Sequence, residues 1–343
     1  MMCSNTFILK TMYMMKTIKT IAATTVIAMA LASCSSDDNN ILLPQQRLVP
    51  IQFSANPAVE VQTRAVNDDL VSARKIAQEG GFGVFAYYHD NTTYSSSSSV
   101  LNFMYNQQVT GTDVTSPVWT YTPVKYWPNE TESSYYEAGT SATNNNVDKL
   151  SFFAYAPYIN TPSGNNITGF APDGTTGDPW VTYVSPTASS TADPAPGVDL
   201  LYANSLNKYN QIDVVNQKVK FEFKHALASL SYELKGNPSY LNFTKIEVIG
   251  WKNGLRIGGK LNLNDGTWSE INEQISKNTV LFRKSAPLPP TGGKWKVIPG
   301  DNQEFFVRIF YKDANGNEKI LPEVPFKLDF EAGKEQVVEI TIP

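Results

Sequence analysis

Apolar and polar residues alternate with a period of two along most of the chain after residue 40, which predicts a body built mainly of β-strands. In Lys218–His225 every second residue, beginning at Val219, is apolar or histidine, and the residues between them are charged. The alternation changes phase at residues 227 and 228, and Leu230 then continues the apolar face. This change predicts a bulge or a passage between two sheets.

Turn signals divide the remaining strands. Asp265-Gly266 and residues 313–316 each follow an alternating run and predict hairpins. Two further alternating runs lie on either side of Gly333 and predict a last strand pair. The only helical period is a weak one in residues 68–78.

An early strand carries the candidate for a removable element. Its inward-facing residues are Val49, Ile51, Phe53, Val59 and Val61. Pro50 has no N–H group to donate, so this strand belongs at the edge of a sheet, from which it can leave without breaking two ladders. Burial of five such side chains contributes roughly 7 to 15 kcal/mol as an upper bound, similar to the whole stability of a domain at about 5 to 15 kcal/mol. A chain that lost the strand would need a replacement.

The first 33 residues have the pattern of a secretion signal. Basic residues at 16 and 19 precede an apolar run, residues 21–32, that is too short to remain as a membrane-spanning helix. Leu31-Ala32-Ser33-Cys34 resembles the lipobox of bacterial lipoproteins, in which the cysteine is acylated. We therefore expect a signal peptide (1–33), a lipidated polar tether (34–44), and attachment to the outer membrane through the lipid on Cys34. The alternative to a lipobox is an ordinary signal-peptide cleavage site that is followed by a cysteine by chance. Several methionines precede the apolar run, so the sequence leaves more than one possible translation start.

Composition suggests two domains in the body. The 343 residues are enough for two or three domains, and 41% of them are hydrophobic. Residues 86–210 contain three Lys or Arg side chains, whereas residues 211–343 contain eighteen. The first stretch also holds Ser/Thr/Asn-rich runs that are typical of long surface loops. We predict an all-β protein with two tandem β-sandwich domains, 45–210 and 211–343.

Charge and residue types argue against several classes of function. A formal net charge of -4, made more negative once the leader's lysines are removed, argues against a nucleic-acid partner. Cys3 and Cys34 both precede residue 35, so the body has no disulfide and no catalytic or metal-binding thiolate. His225 lies on an apolar strand face and is expected to be a hydrogen-bonded core histidine, whereas His89, beside Asp90 in a polar loop, has no assignable role. Common catalytic and phosphate-loop motifs are absent, and residues 313–318 lack the order of a calcium loop. We therefore predict no enzyme activity, no catalytic residue, no cofactor and no metal site.

Several segments, in this order, resemble the fimbrillin family of lipoprotein pilin precursors. They are the lipobox, Thr63-Arg64-Ala65, Tyr126-Trp127-Pro128, Phe152-Phe153-Ala154-Tyr155-Ala156-Pro157-Tyr158, Val198-Asp199-Leu200-Leu201-Tyr202-Ala203, residues 219–228, and a closing strand after Gly333-Lys334. The resemblance implies two transthyretin-like β-sandwiches and export as a lipoprotein to the cell surface. It also implies trimming by a trypsin-like protease, after which a strand from another pilus subunit fills the vacated groove. Arg64 matches the processed arginine, and Arg47, Arg74 and Lys75 are competing cut points.

The resemblance also bears on the place of the subunit in the fibre. Stalk pilins of this type carry extra strand-forming residues after the last domain strand, and here that strand ends at Pro343. We therefore expect a tip or accessory subunit, with Val338, Ile340 and Ile342 as a less favoured donor. The alternative hypothesis is that the chain is a non-polymerising surface lipoprotein that binds glycan or another ligand. A third hypothesis is a β-sandwich hydrolase. The aromatic residues available for stacking on sugars are Trp119, Tyr121, Tyr126, Trp127, Tyr135 and Tyr136.

Overall fold

A computed structural model describes residues 49–57, 72–113, 115–128, 148–162, 166–189, 192–209, 217–236, 242–274 and 279–342. These residues all belong to one compact unit. The described elements in chain order are β1 (Gln52–Pro57), α1 (Ala73–Gln78), β2 (Phe82–His89), β3 (Met104–Gly111), β4 (Trp119–Thr120), β5 (Lys149–Ala156), β6 (Ile167–Phe170), β7 (Trp180–Val184), β8 (Leu201–Lys208), β9 (Lys218–His225), β10 (Ala228–Gly236), β11 (Asn242–Gly250), β12 (Leu255–Asn262), β13 (Trp268–Gln274), β14 (Val280–Ser285), β15 (Thr291–Val297), β16 (Gly300–Lys312), β17 (Glu318–Ile320), β18 (Val324–Phe330) and β19 (Glu335–Ile342).

Within the described ranges the strands form four sheets. The largest has the order β1-β9-β8-β5-β2-β3-β4, and a second has the order β13-β12-β7-β6. The third has the order β15-β10-β19, and the fourth has the order β14-β11-β16-β17, with β18 also paired to β16. The all-β class predicted from the alternation is confirmed.

The middle strands β2 and β5 of the seven-stranded sheet contribute to a core on each face. One face of β2 and β5 contributes Phe82 and Phe152 to a core that α1 closes with Ile76. The opposite face of the same strands contributes Tyr87 and Phe153 to a second core, which the four-stranded sheet covers. A third core lies between the three-stranded and five-stranded sheets. The seven-stranded sheet is therefore a central layer, and β1 lies at its edge.

The clearest sequence patterns have the structures that they predict. In β9, Val219, Phe221 and Phe223 are buried while the charged residues between them are exposed. The phase change at residues 227 and 228 is a passage between sheets, because β9 belongs to the seven-stranded sheet and β10 to the three-stranded sheet. The hairpins β12–β13 and β16–β17 and the short helix α1 are also present as predicted.

The last predicted strand pair is wrong. Strands β18 and β19 do form on either side of Gly333, but β18 pairs with β16 and β19 pairs in parallel with β10. The turn between them carries the chain from one sheet to the other instead of closing a hairpin. Phe330 and Val338 consequently meet across the same core from opposite sheets.

The division into domains at residues 210 and 211 stays a prediction. Strand β9 follows that point but pairs with β8, which precedes it. Strand β7 precedes it but pairs with β12, which follows it. The sheets thus exchange strands across the predicted boundary in both directions.

Candidate strand-exchange site

Strand β1 is the candidate functional element because it is the first strand of the described chain and lies at a sheet edge. It pairs with β9 in parallel, with Gln52 opposite Lys218 and Pro57 opposite Phe223. The polar residues Gln52 and Ser54 alternate with the buried residues Phe53 and Ala55. This alternation directs one face of the strand into the core and leaves the other toward solvent.

The inward face of β1 completes the core on that side of the central sheet. Ile51, Phe53 and Ala55 are only 1%, 3% and 3% exposed. Phe53 lies opposite Val219 and Ala55 opposite Phe221 in the parallel register. The apolar side chains of β9 are therefore flanked by those of β1 at the edge of the sheet.

Phe53 is enclosed by four aromatic rings. Its ring centroid lies 6.3 Å from that of Phe82, 5.3 Å from Tyr121, 5.8 Å from Phe152 and 5.7 Å from Phe221. The Phe82 and Phe152 contacts are edge-to-face, and the Phe221 contact is stacked. Such contacts add to the stabilisation given by burial of the ring alone.

The residues just before β1 are bonded to a different segment. The Ile51 N–H donates to the Lys125 carbonyl at 2.9 Å, and the Trp127 N–H donates to the Val49 carbonyl at 3.0 Å. Pro50 lies opposite Tyr126 in an isolated antiparallel bridge. The two hydrogen bonds of this bridge involve the neighbouring residues, so the proline needs no N–H group. The expectation that the strand breaks only one ladder on leaving is therefore wrong for the whole segment 49–57: residues 49–51 leave the segment of residues 125–127, and residues 52–57 leave β9.

A tyrosine reinforces this second contact. The Tyr121 hydroxyl lies 3.0 Å from the Ile51 carbonyl, to which it donates, and 3.2 Å from the Lys125 amide, from which it accepts. Burial raises the pKa of Tyr121, so the hydroxyl keeps its proton at neutral pH. The side chain therefore joins the two segments through a neutral hydrogen bond.

The structure places some of the predicted site residues together. Ile51 and Phe53 are buried in the core, and Val49 is half-buried against it. Cys34, Arg64, Val59 and Val61 lie outside the described residues, as do the leader and the tether. The removability of the strand stays a prediction.

The contributions of four residues to the site were missed from the sequence. Ala55 continues the alternation of Ile51 and Phe53, and this alternation could have identified it as a third inward-facing residue. Tyr121 and Lys125 contact β1 across some seventy residues of chain, and no local pattern indicates this pairing. Trp127 was named as part of a family segment and as a candidate for stacking on sugars, but the hydrogen bond from its backbone amide to the Val49 carbonyl was not predicted.

The competing cut points at Arg74 and Lys75 lie in α1. Ser72 caps this helix by accepting a hydrogen bond from the Lys75 amide, and Ile76 is 1% exposed in the core. The Arg74 side chain is exposed and pairs with Asp113 at 3.3 Å. A protease that cuts here must first unfold an element that is packed into the core.

A buried ionic cluster lies where the seven-stranded and three-stranded sheets meet. His225 Nδ1 lies 2.8 Å from Asp199 Oδ2, and the Lys296 ammonium lies 3.3 Å from Asp199 Oδ1 and 3.1 Å from Ser229 Oγ. Burial by itself raises the pKa of Asp199, but the hydrogen bond from His225 and the charge of Lys296 outweigh it and hold that pKa below its ordinary value. His225 is thus a hydrogen-bonded, largely buried histidine, as predicted.

The other histidine lies in a different setting from the one expected. His89 ends β2 and is 5% exposed, so its placement in a polar loop is wrong. Its Nε2 lies 3.1 Å from the Ser151 hydroxyl. Burial, followed by the charge of Lys149, lowers its pKa and favours the neutral ring.

The residues considered for metal and sugar binding have structural contacts. Asp313 Oδ1 accepts hydrogen bonds from the amides of Asn315 and Asn317 and so stabilises its own turn. Among the described residues, no group of three or more His, Cys, Asp or Glu side chains is arranged to hold a metal ion. Trp127 is 2% exposed, which leaves no face for a sugar, whereas Tyr126 is 43% exposed. Trp119 and Tyr121 pack against the core, and Tyr135 and Tyr136 lie outside the described residues.

The fold and site define an all-β protein with a central sheet whose first strand is held at the edge by two different segments. Among the described residues, no helix is long and apolar enough to cross a membrane.

Comparison with known proteins gives the family. The sequence profile described as fimbrillin-like matches residues 63–343. Fimbrium subunit Fim1C of Phocaeicola vulgatus is 26% identical over 231 residues, which cover 65% of this chain and 53% of that protein. The chain thus spans about half the length of this curated relative.

A solved structure shows the same fold. The crystal structure of a fimbrial protein from Bacteroides vulgatus matches with a TM-score of 0.54 and 18% sequence identity, covering 85% of this chain and 95% of that one. Because the profile matches most of the chain, the chain belongs to the fimbrillin-like family. This is a family of fimbrial structural proteins and not a family of enzymes.

Proposed function

We propose that this chain is a non-enzymatic pilus subunit that is exported as a lipoprotein, trimmed after Arg64 and assembled by strand replacement. The lipid on Cys34 attaches the precursor to the outer membrane, and other pilus subunits are its partners. The observation that carries the proposal is the position of β1. It is an edge strand that precedes Arg64, and it places Ile51 and Phe53 in the core of the central sheet.

The energetics of β1 support a need for replacement. Burial of Ile51 and Phe53 contributes about 1.5 to 3 kcal/mol for each side chain. Removal of β1 also exposes the apolar face of β9 and leaves the backbone partners of residues 49–51 without their bonds. A trimmed subunit therefore presents a groove that another strand stabilises.

The position of Arg64 supports it as the cut point. Cleavage after Arg47 leaves β1 attached to the body, because β1 follows that residue. Cleavage after Arg74 or Lys75 cuts α1, which contributes Ile76 to the core. The match to the family profile begins at Thr63, so β1 lies outside the region that the family profile covers.

A tip or accessory position is also part of the proposal. The support for it is β19, which pairs with β10 over eight residues and buries Val338 and Ile340. A strand held in this way is a poor donor for a neighbour, which favours a subunit that accepts a strand and keeps β19 in its own fold.

A processing experiment tests the proposal. The wild-type precursor, Arg64→Ala and the control Arg74→Ala are each incubated with a trypsin-like protease. We expect wild type and the control to lose one N-terminal piece ending at Arg64 and then to form a high-mass complex with another pilus subunit that supplies a donor strand. Arg64→Ala should remain a full-length monomer with higher thermal stability, since it keeps β1.

Two results would contradict the proposal. One is assembly of Arg64→Ala with another pilus subunit to the same extent as the wild type. The other is a trimmed protein that forms no complex with other pilus subunits and is retarded in polysaccharide gels, which would favour the glycan-binding alternative.

A further inference from the structure

The contacts that β1 and residues 49–51 make indicate which sequence a replacement strand would need. The groove has two walls of opposite sense, since β9 runs parallel to residues 52–57 and the segment of residues 125–127 runs antiparallel to residues 49–51. A strand that covers only the β9 wall leaves the Trp127 amide without its partner and the Lys125 carbonyl without the Ile51 amide. Trp127 is 2% exposed, and an unpaired backbone group in a buried place is costly, so both walls select an occupant that spans nine residues.

The centre of the groove selects an aromatic ring. When Phe53 leaves, the space it vacates is bounded by the rings of Phe82, Tyr121, Phe152 and Phe221, at centroid distances between 5.3 and 6.3 Å. A planar ring meets two of these edge-on and one by stacking, as Phe53 does. A branched aliphatic side chain has no planar face to stack on Phe221, and it leaves part of the space empty.

Two residues further on, the groove selects a small side chain. Ala55 lies opposite Phe221 in the register and is 3% exposed, and its methyl group belongs to the buried core. A large residue at this position would overpack the core, which does not yield easily at native density. The order of sizes along the inward face is therefore aliphatic at 51, aromatic at 53 and small at 55.

The wall formed by residues 125–127 tolerates a proline at position 50. Pro50 is bridged to Tyr126, and the hydrogen bonds on either side come from the Ile51 and Trp127 amides. No donor is required from the residue at position 50, so a proline is accepted there.

We propose that the partner strand, supplied by another pilus subunit, is a nine-residue segment that runs parallel to β9 with the inward pattern aliphatic, aromatic, small. This inference rests on the proposed strand replacement and specifies its ligand. The alternation of apolar residues alone does not give the selectivity, because the size at each inward position is fixed by a different group of neighbours.

Peptide exchange on the full chain tests this. A site-specific protease sequence placed at residues 63–65 nicks the full-length precursor, and the N-terminal piece stays bound until a competitor displaces it. The competitors are the parent peptide of residues 49–57 and versions with Phe53→Leu, Ala55→Phe or, as an outward-facing control, Ser54→Thr. Displacement is followed by size-exclusion chromatography and mass spectrometry.

We expect the parent and Ser54→Thr peptides to displace the piece at similar concentrations. The Phe53→Leu and Ala55→Phe peptides should need at least tenfold more, which corresponds to about 1.4 kcal/mol. Equal displacement by all four peptides would overturn the size pattern and leave strand replacement standing. Failure of the parent peptide to displace the piece would overturn strand replacement itself, and the inferred pattern with it.

Discussion

Phe53 and Phe221 stack with their ring centroids 5.7 Å apart and their planes inclined by 17°. Phe53 belongs to β1 and Phe221 to β9, so the stack joins the edge strand to the strand on which it lies. Both rings are almost fully buried. The attachment of β1 thus depends on one ring more than on any other inward side chain.

Phe53→Ala should therefore destabilise the precursor. Replacement of a buried phenylalanine by alanine costs about 3 to 5 kcal/mol, because the apolar contacts are lost and a cavity remains. Denaturant unfolding of the full-length chain measures the effect, with the half-exposed Ser54→Ala as control. The same substitution should make limited proteolysis near residue 64 faster, and an unchanged unfolding midpoint would contradict the central place of this ring.

Asp199→Asn should destabilise the chain in a pH-dependent way. The variant leaves the buried Lys296 without its carboxylate partner, and removal of one member of a buried pair costs about 3 kcal/mol. The folded-state pKa of Asp199 lies below the ordinary value of 3.8, so its contribution is complete above that value and is lost as the pH falls through the folded pKa.

The direction of the pH dependence of the Asp199→Asn effect can be measured directly. The difference in free energy of unfolding between wild type and Asp199→Asn should be largest at neutral pH and should shrink below about pH 4. The exposed Asp301→Asn serves as control and should show little difference at any pH. A difference that grows as the solution is acidified would contradict this reading of the cluster.

Cys34→Ala should abolish lipid attachment. The short apolar run that ends in Leu31-Ala32-Ser33-Cys34 predicts acylation of this cysteine. Labelled palmitate should enter the wild type and not the variant, and Cys3→Ala provides a control at the chain's other cysteine. Equal incorporation in Cys34→Ala would show that the motif is a chance one.

The sequence predicts best those strands that have one face in a core and the other in solvent. The alternation in Lys218–His225 appears in the structure as alternating buried and exposed residues. In Lys149–Ala156 every side chain is buried, because this strand lies in the middle of a sheet that is covered on both faces. Such a strand has no polar face, and its period cannot be read from the sequence.

Local sequence patterns could not predict which strands pair when they lie far apart in the chain. Two parallel pairs, β1 with β9 and β19 with β10, join segments that lie far apart in the chain. Turn signals indicate hairpins only between neighbours, and for that reason the strands around Gly333 were wrongly paired. For the candidate site, Ile51 and Phe53 were predictable from alternation and Pro50 predicted the edge. The contact with Tyr121 became visible only in the folded chain.

The subunit should lie at fibre ends, because its last strand is committed to its own core. Withdrawal of β19 would break its parallel pairing with β10 and remove Val338 and Ile340, which are 2% and 5% exposed, from the C-terminal core. A subunit that opens its groove at β1 but retains β19 can accept a strand and does not use β19 as a donor, which favours a place at the end of a fibre. Immunogold labelling of intact fibres checks this, with a deletion strain as control. We expect gold at the distal ends; regular gold along the shaft would mean a stalk subunit, gold only at the cell envelope would mean an anchor, and either result would contradict the assignment.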